Sequence, residues 1–289
     1  MTGRRWLTET AFAHMRMSFE VARVLHAEHG DRHRLDLIEN PLFGKVLMLD
    51  GATQVTTADE FIYHEMMAHV PLVAHGAAHE VLIVGGGDCG LAEEVLKHPA
   101  VARLVQVEID ARVIDFARTH FAEINAAAFA DPRFQIEIAD GADFVRRTDR
   151  RFDIILVDST DATGPGAVLF TESFHADLRR CLRPGGIVVT QSGVPFVQPD
   201  DFTTAMRNLS KAFATTTCYV IAVPTYAGGH MALGWASMDR DPDAPDLATL
   251  ANRAASLATR YYTPDVHKAA FALPRYIRDA RDAAVASRS

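Results

Sequence analysis

Apolar positions change their period close to residue 57. Before it they form short alternating runs: Phe19, Val21, Val24 and Leu25, then Leu35 and Leu37, then Val46, Leu47 and Leu49. Asn40-Pro41, Phe43-Gly44 and Asp50-Gly51 stand between or after these runs as turn signals. Short strands without crossover helices predict a small antiparallel sheet, so residues 1–57 read as an N-terminal β-strand domain. From Asp59 the period becomes helical, with Phe61, Ile62, Met66 and Val70 recurring along a segment that reaches His69. The acidic pair Asp59-Glu60 suits the positive end of that helix. Strand-like and helix-like stretches then alternate. Buried strands are predicted over 81–84, 104–107, 134–138, 154–157 and 187–189, and helices over 91–97, 111–120 and 171–182. That order predicts an α/β domain over 58–289 whose parallel sheet is covered on both faces. The tail from Ala244 reads as mostly helical, broken at Pro264 and Pro274.

In such sheets ligands bind beyond the C-terminal strand ends, so the residues that follow each strand carry the chemistry. After the first come Gly85-Gly86-Gly87-Asp88-Cys89-Gly90, after the second Glu108 and Asp110, after the third Asp140-Gly141, and after the fourth Asp158-Ser159-Thr160-Asp161. Any one of these acids has an even chance of being a helix cap. Four acidic loops on one rim make a purely structural reading much weaker. Gly85, Gly87 and Gly90 also satisfy G-x-G-x-x-G, and Glu108 stands where a ribose-binding acid is expected. A carboxylate at Asp88 would repel a pyrophosphate but attract a sulfonium or ammonium group. The loop therefore favours a cationic nucleoside over a nicotinamide dinucleotide. On the same ground it disfavours the methionine carboxylate of a methyltransferase donor.

These segments, taken in order, resemble the spermidine synthase family of aminopropyltransferases. The likeness covers 85–88, 107–110, 140–141 and 158–161, and also Leu49-Asp50-Gly51 with Gln54, 59–66, Gly164-Pro165, Pro224-Thr225-Tyr226 and 270–274. It implies a Rossmann-like parallel sheet of the S-adenosylmethionine-methyltransferase type, with a small N-terminal antiparallel β domain, assembled as a homodimer or homotetramer. It implies decarboxylated S-adenosylmethionine as co-substrate, with no tightly bound cofactor and no metal. Carried over by residue, Glu108 holds the ribose, Asp140 and Gly141 read the adenine edge, and Pro165 packs beside it. Asp88, at the loop of Gly85 and Gly87, binds the amine of the aminopropyl group. Gln54, Tyr63, His64, Asp161 and Tyr226 line the acceptor channel, and Asp158 is the general base. Where the family commonly has a Gln that helps hold the nucleoside, this chain has Arg32-His33-Arg34, so either His33 substitutes as the donor or that contact is lost.

The chemistry explains such a set. An alkyl ammonium titrates near 10.4, so freeing its lone pair near neutral pH costs about three pK units, ~4 kcal/mol. A carboxylate in contact can bind that ammonium, take its proton and aim the nitrogen. An ordinary Asp is a poor base, and clustering with Asp88 and Asp161 is expected to raise Asp158. Without the resemblance, Tyr63 on an amphipathic helix reads as a core aromatic, His64 as a surface histidine, and Gln54 as an unremarkable residue after a turn.

Composition narrows the picture further. The 289 residues carry a formal charge of −8, unsuited to nucleic acid. Charges interrupt every apolar run, and the first residues lack a signal-peptide core, so a cytoplasmic protein is expected; the small polyamine substrate is what the resemblance implies. Three widely spaced cysteines predict neither a disulfide framework nor structural zinc. Cys89 stands where the family generally has Gly, and its β-carbon predicts φ below zero, with inert packing favoured over a reactive thiol. Ala162, His175, Ala227 and His230 also depart from the family around the acceptor end. Putrescine is the leading acceptor, with cadaverine, agmatine or spermidine as alternatives. Other classes are an S-adenosylmethionine methyltransferase, a non-catalytic nucleoside- or polyamine-binding protein and, weakest, a nicotinamide oxidoreductase.

Overall fold

The computed structural model describes residues 4–29, 34–160 and 164–287. Its N-terminal part contains β1 (Trp6–Thr8), β2 (Ser18–Glu20), β3 (Arg23–His29), β4 (Arg34–Asn40), β5 (Gly44–Leu49) and β6 (Ala52–Thr56). All pair antiparallel, as the alternation predicts, but in two sheets: β1-β2 and β3-β4-β5-β6. The expected single run through Phe19 and Leu25 is divided at residues 21–22, so Phe19 falls on β2 and Leu25 on β3. Asp50 and Gly51 both adopt positive φ in the turn between β5 and β6. Leu37 and Val55 of this part pack with Phe121 and Ile124, tying it to the larger part of the molecule.

Helix α1 (Glu60–His75) follows and runs past the predicted end, continuing through Pro71. It stops at Gly76, whose φ of 78° places its N–H on the Leu72 carbonyl, while Arg253 donates to the carbonyls of Val73 and Ala74. Then come β7 (Glu80–Gly85), α2 (Gly90–Leu96), β8 (Arg103–Glu108), α3 (Ala111–His120), α4 (Ala122–Ala130), β9 (Phe134–Ile138), α5 (Gly141–Arg147) and β10 (Phe152–Asp158). After a 3₁₀ segment (Gly164–Phe170), α6 (Glu172–Cys181) leads into β11 (Leu182–Gln191), α7 (Pro199–Ala212), β12 (Thr215–Ile221) and β13 (Met231–Ser237). The tail forms α8 (Leu247–Ala254), α9 (Pro264–Ala270) and α10 (Arg275–Ala286), with Pro264 opening one helix and Pro274 capping the next.

Among the described residues the large sheet has the order β12-β13-β11-β10-β7-β8-β9. It is parallel except for β13, which runs antiparallel to both neighbours, so the expected parallel sheet is a mixed one. Its central strands are buried on both sides, whereas the edge strand β9 has no buried residue. Val81, Ile83, Ile154 and Leu156 pack into one core, and Leu82, Val84, Ile155 and Val157 into the other. Because β7, β8, β9 and β10 are parallel neighbours, Gly85, Glu108, Ile138 and Asp158 end on one rim.

Candidate active site

Three features hold the glycine loop after β7. Gly85 has φ of 87°, and a β-carbon there would lie 2.1 Å from the Asp158 carbonyl oxygen. Gly86, also at positive φ, donates its N–H to that carbonyl at 2.8 Å. From below, the Gln106 side chain donates to the Gly86 carbonyl at 2.7 Å, and Asn125 donates to the Asp88 carbonyl at 2.8 Å. Both amides belong to fully buried residues that the sequence reading passed over. Gln106 leaves a signal, as the one polar residue in the otherwise apolar run 104–107.

Cys89 corrects an expectation. Its φ is 62°, not negative. The Cys89 N–H must reach the Gly86 carbonyl, 2.8 Å away, while its own carbonyl starts α2, and these two bonds impose the left-handed conformation that a glycine adopts freely. Its thiol is buried, and burial followed by the nearby Asp88 charge pushes it well above the ordinary range, which fits packing rather than reactivity.

Asp88 and Asp158 face the N-terminal turns of α1. The Tyr63 hydroxyl donates to Asp158 Oδ1 at 2.7 Å, and His64 Nε2 lies 3.5 Å from Asp88 Oδ1. The other ring nitrogen of His64 meets Glu60 Oε2 at 2.7 Å, and the Gly90 N–H donates to Asp88 Oδ1 at 2.7 Å. The two carboxylates differ. Burial, with the Asp88 charge second, raises Asp158 to about 6, although His64 and the Tyr63 hydroxyl oppose the rise. Asp88 is also subject to burial, but His64 and the Gly90 amide outweigh it and hold the carboxyl below the usual range. Clustering was the expected cause of the raised Asp158; burial is the larger one.

The remaining residues divide as follows. Tyr226 packs edge-on against Tyr63, with ring centres 6.0 Å apart, and its hydroxyl donates to the Gln54 backbone carbonyl at 2.8 Å, so Gln54, Tyr63 and Tyr226 converge. The Gln54 amide itself donates to the Ala52 carbonyl at 3.2 Å. Glu108 closes the next strand, its Oε2 3.2 Å from where a β-carbon on Gly87 would stand, and burial raises its carboxyl. Asp140 caps α5 by accepting the Asp143 N–H, and a β-carbon on Gly141 would strike Val84. Asp110 is a cap too, accepting the Arg112 N–H and pairing with its guanidinium. Pro165 falls in the 3₁₀ segment, and its side chain is not among those described. His33, Asp161 and Ala162 lie outside the described residues. His175 is buried within α6, its Nδ1 on the Thr171 carbonyl, and burial lowers it to about 4.

With this rim in view, likeness to known proteins becomes decisive. Residues 60–244 match the model of the spermine/spermidine synthase domain, and residues 5–57 match that of the spermidine synthase tetramerisation domain. The chain belongs to the spermine/spermidine synthase family. It is an enzyme, a transferase of the polyamine aminopropyltransferase type. The polyamine aminopropyltransferase of Ruegeria sp. (strain TM1040) is 49% identical over 280 residues, covering 96% of this chain and 99% of that one. That of Serratia proteamaculans (strain 568) is 46% identical over 282 residues, covering 97% and 98%. A spermidine synthase in complex with the transition-state analogue AdoDATO superposes with a TM-score of 0.91 at 36% identity, covering 98% of both chains. The spermidine synthase from Thermotoga maritima gives 0.87 at 34% identity, covering 98% and 96%. No helix of the described residues is long and apolar enough to cross a membrane. The enzyme thus has the fold that the motifs implied.

Proposed function

We propose that this enzyme makes spermidine, moving the aminopropyl group of decarboxylated S-adenosylmethionine to putrescine. The observation that carries the reading is the pair of unlike carboxylates on one rim, Asp88 held ionised and Asp158 raised to about 6. The relative with AdoDATO supports the choice of donor. Asp88 binds the ammonium of the aminopropyl group, Glu108 the ribose, and Asp140 with Gly141 the adenine edge. Gly85 and Gly87 let the loop approach the donor, Pro165 packs beside the base, and His33 supplies a further donor bond. Gln54, Tyr63, His64, Asp161 and Tyr226 form the acceptor channel.

Putrescine enters as a dication and one of its ends meets Asp158. A carboxylate near 6 is about two units more basic than an ordinary Asp, which shortens the proton's climb from an alkyl ammonium by roughly 3 kcal/mol. The Tyr63 hydroxyl, fixed on Oδ1, directs the proton to the other oxygen. The freed lone pair attacks the carbon beside the sulfonium, the carbon–sulfur bond breaks with its electrons going to sulfur, and methylthioadenosine leaves. The donor's own positive charge supplies the leaving group.

We take residues 1–57 and 58–289 as the two domains, the first serving assembly into a homodimer or homotetramer, and the enzyme as cytoplasmic, where its free, buried cysteines stay reduced. The test is mass spectrometry of the purified protein with the decarboxylated donor and a panel of diamines, run beside ordinary S-adenosylmethionine. Methylthioadenosine with spermidine is expected from putrescine. Aminopropylation of cadaverine, agmatine or spermidine instead would overturn the acceptor, and S-adenosylhomocysteine from the ordinary donor would overturn the class.

A further inference from the structure

Two neighbouring residues of α1 each serve one carboxylate of the site, and they are chemically different. Tyr63 offers Asp158 a neutral hydroxyl, which burial and then the facing carboxylate keep protonated far above neutral pH. His64 offers Asp88 an imidazole. That ring stands between two acids, with Glu60 Oε2 2.7 Å from Nδ1 and Asp88 Oδ1 3.5 Å from Nε2. A carboxylate can only accept, so both nitrogens meet their partners fully when both carry protons. The ring is almost entirely buried and burial alone would discharge it, so its charge depends on the acids around it: the Asp88 charge first, then Glu60, which is the closer contact at 2.7 Å against 3.5 Å. Space for it is built in: a β-carbon on Gly90 would lie 2.5 Å from His64 Cε1 and 2.6 Å from Nδ1. Glu60 is one turn before His64 on the same helix, and the sequence reading took it only as a favourable helix-start charge.

We propose that Glu60 is a positioning residue which keeps His64 doubly protonated, and that the resulting imidazolium holds Asp88 as the ionised, ammonium-binding carboxylate while Asp158 is left to act as base. The division of labour between two acids on one rim thus comes from one helix turn: a cation for the anchor, a phenol for the base. The charged and titratable groups that face His64 are Glu60 and Tyr63 on its own helix, Asp88 from the glycine loop, and Asp158 beyond it at the end of β10. Glu60 is the one of the three acids that the reaction itself does not use, which makes it available for this role. The proposal rests on the aminopropyl-donor reading for what Asp88 binds, but not for the state of the ring.

The test therefore has two independent arms. Nitrogen-15 NMR, with His64 assigned by comparison with His64→Gln, reads the ring in the full-length protein without any substrate. Both nitrogens are expected to be protonated at pH 7.5 in the unaltered enzyme, and the ring to be neutral in Glu60→Gln. A neutral ring in the unaltered enzyme overturns the proposal whether or not any variant folds. So does an imidazolium that survives Glu60→Gln. In the kinetic arm, Glu60→Gln is expected to raise KM for the decarboxylated donor roughly tenfold, the loss of one strong polar contact, with kcat changed much less. In a His64→Gln background, where the side chain is neutral by nature, the same substitution is expected to cost almost nothing. Equal costs in both backgrounds would mean that Glu60 does not act through His64. Absence of any product from the decarboxylated donor would instead sink the donor reading and leave the NMR arm standing.

Discussion

Replacing Asp158 with Asn removes one charge, keeps the shape, and leaves an amide oxygen able to accept the Tyr63 hydroxyl. In the folded enzyme the Asp158 carboxyl sits at about 6 rather than 3.8, chiefly through burial, so ionising it costs more folded than unfolded. Below pH ~3.9 the acid is neutral in both states and the substitution has little to relieve. As pH rises from there, the unfolded chain ionises first, the folded state binds the extra proton, and stability falls until the folded group ionises near 6. About two pK units correspond to roughly 3 kcal/mol as an upper limit, and partial solvation at the rim makes about 1–3 kcal/mol the working range. Asp158→Asn is therefore expected to melt several degrees above the unaltered enzyme at pH 7.5, with the gap closing between pH 6 and 4, while turnover is lost. Thermal melts across that pH range, set beside a methylthioadenosine assay, measure both. A variant no more stable than its parent at pH 7.5, or a gap that ignores pH, would show that burial does not strain Asp158. Surviving turnover would remove it as the base.

Further outcomes follow from neighbouring contacts. Tyr63→Phe deletes the hydroxyl that favours the ionised form of Asp158, so the acidic limb of the kcat/KM profile is expected to move above 6 and the rate at pH 7 to fall roughly two- to tenfold; an unmoved limb would mean that the hydrogen bond is not retained during turnover. Cys89→Gly relieves a left-handed residue and is expected to stabilise the fold by about 1 kcal/mol, read as a higher denaturation midpoint, with activity kept.

The parallel strands and the residues that end them were legible because a strand buried on both faces writes an unbroken apolar run, and 81–84 and 154–157 are such runs. Strands β12 and β13 were not. Their Thr, Gly and Ser positions dilute the apolar signal, and nothing local encodes that β13 enters the sheet antiparallel. Helix α4 hid in an alanine-rich stretch with no polar face to mark a period. Cys89 departs from the general steric preference because two backbone hydrogen bonds, formed by residues that no local pattern marks, override it. Gln106 and Asn125 were passed over because a lone amide looks like surface until its buried carbonyl partner is known. The acids of the rim were found, but which of them would be strained and which satisfied depended on donors far away in sequence, such as His64 for Asp88.

Helix α1 opens at Asp59, whose carboxylate takes the Thr56 hydroxyl and both the N–H and the hydroxyl of Thr225. Glu60 then takes His64, Tyr63 takes Asp158, and Glu65 accepts the backbone N–H groups of Arg260, Tyr261 and Tyr262 at 2.7–2.8 Å. Two turns thus moor the N-terminal sheet, the 222–230 loop, the rim carboxylates Asp88 and Asp158, and the C-terminal tail. Anyone redesigning this enzyme for a longer or shorter amine has little freedom there, because a substitution on the helix detaches more than one thing at once. The 222–230 loop is different. It meets α1 both at Asp59, through Thr225, and at Tyr63, through the ring of Tyr226, so it can be rewritten only around a fixed Thr225 and Tyr226.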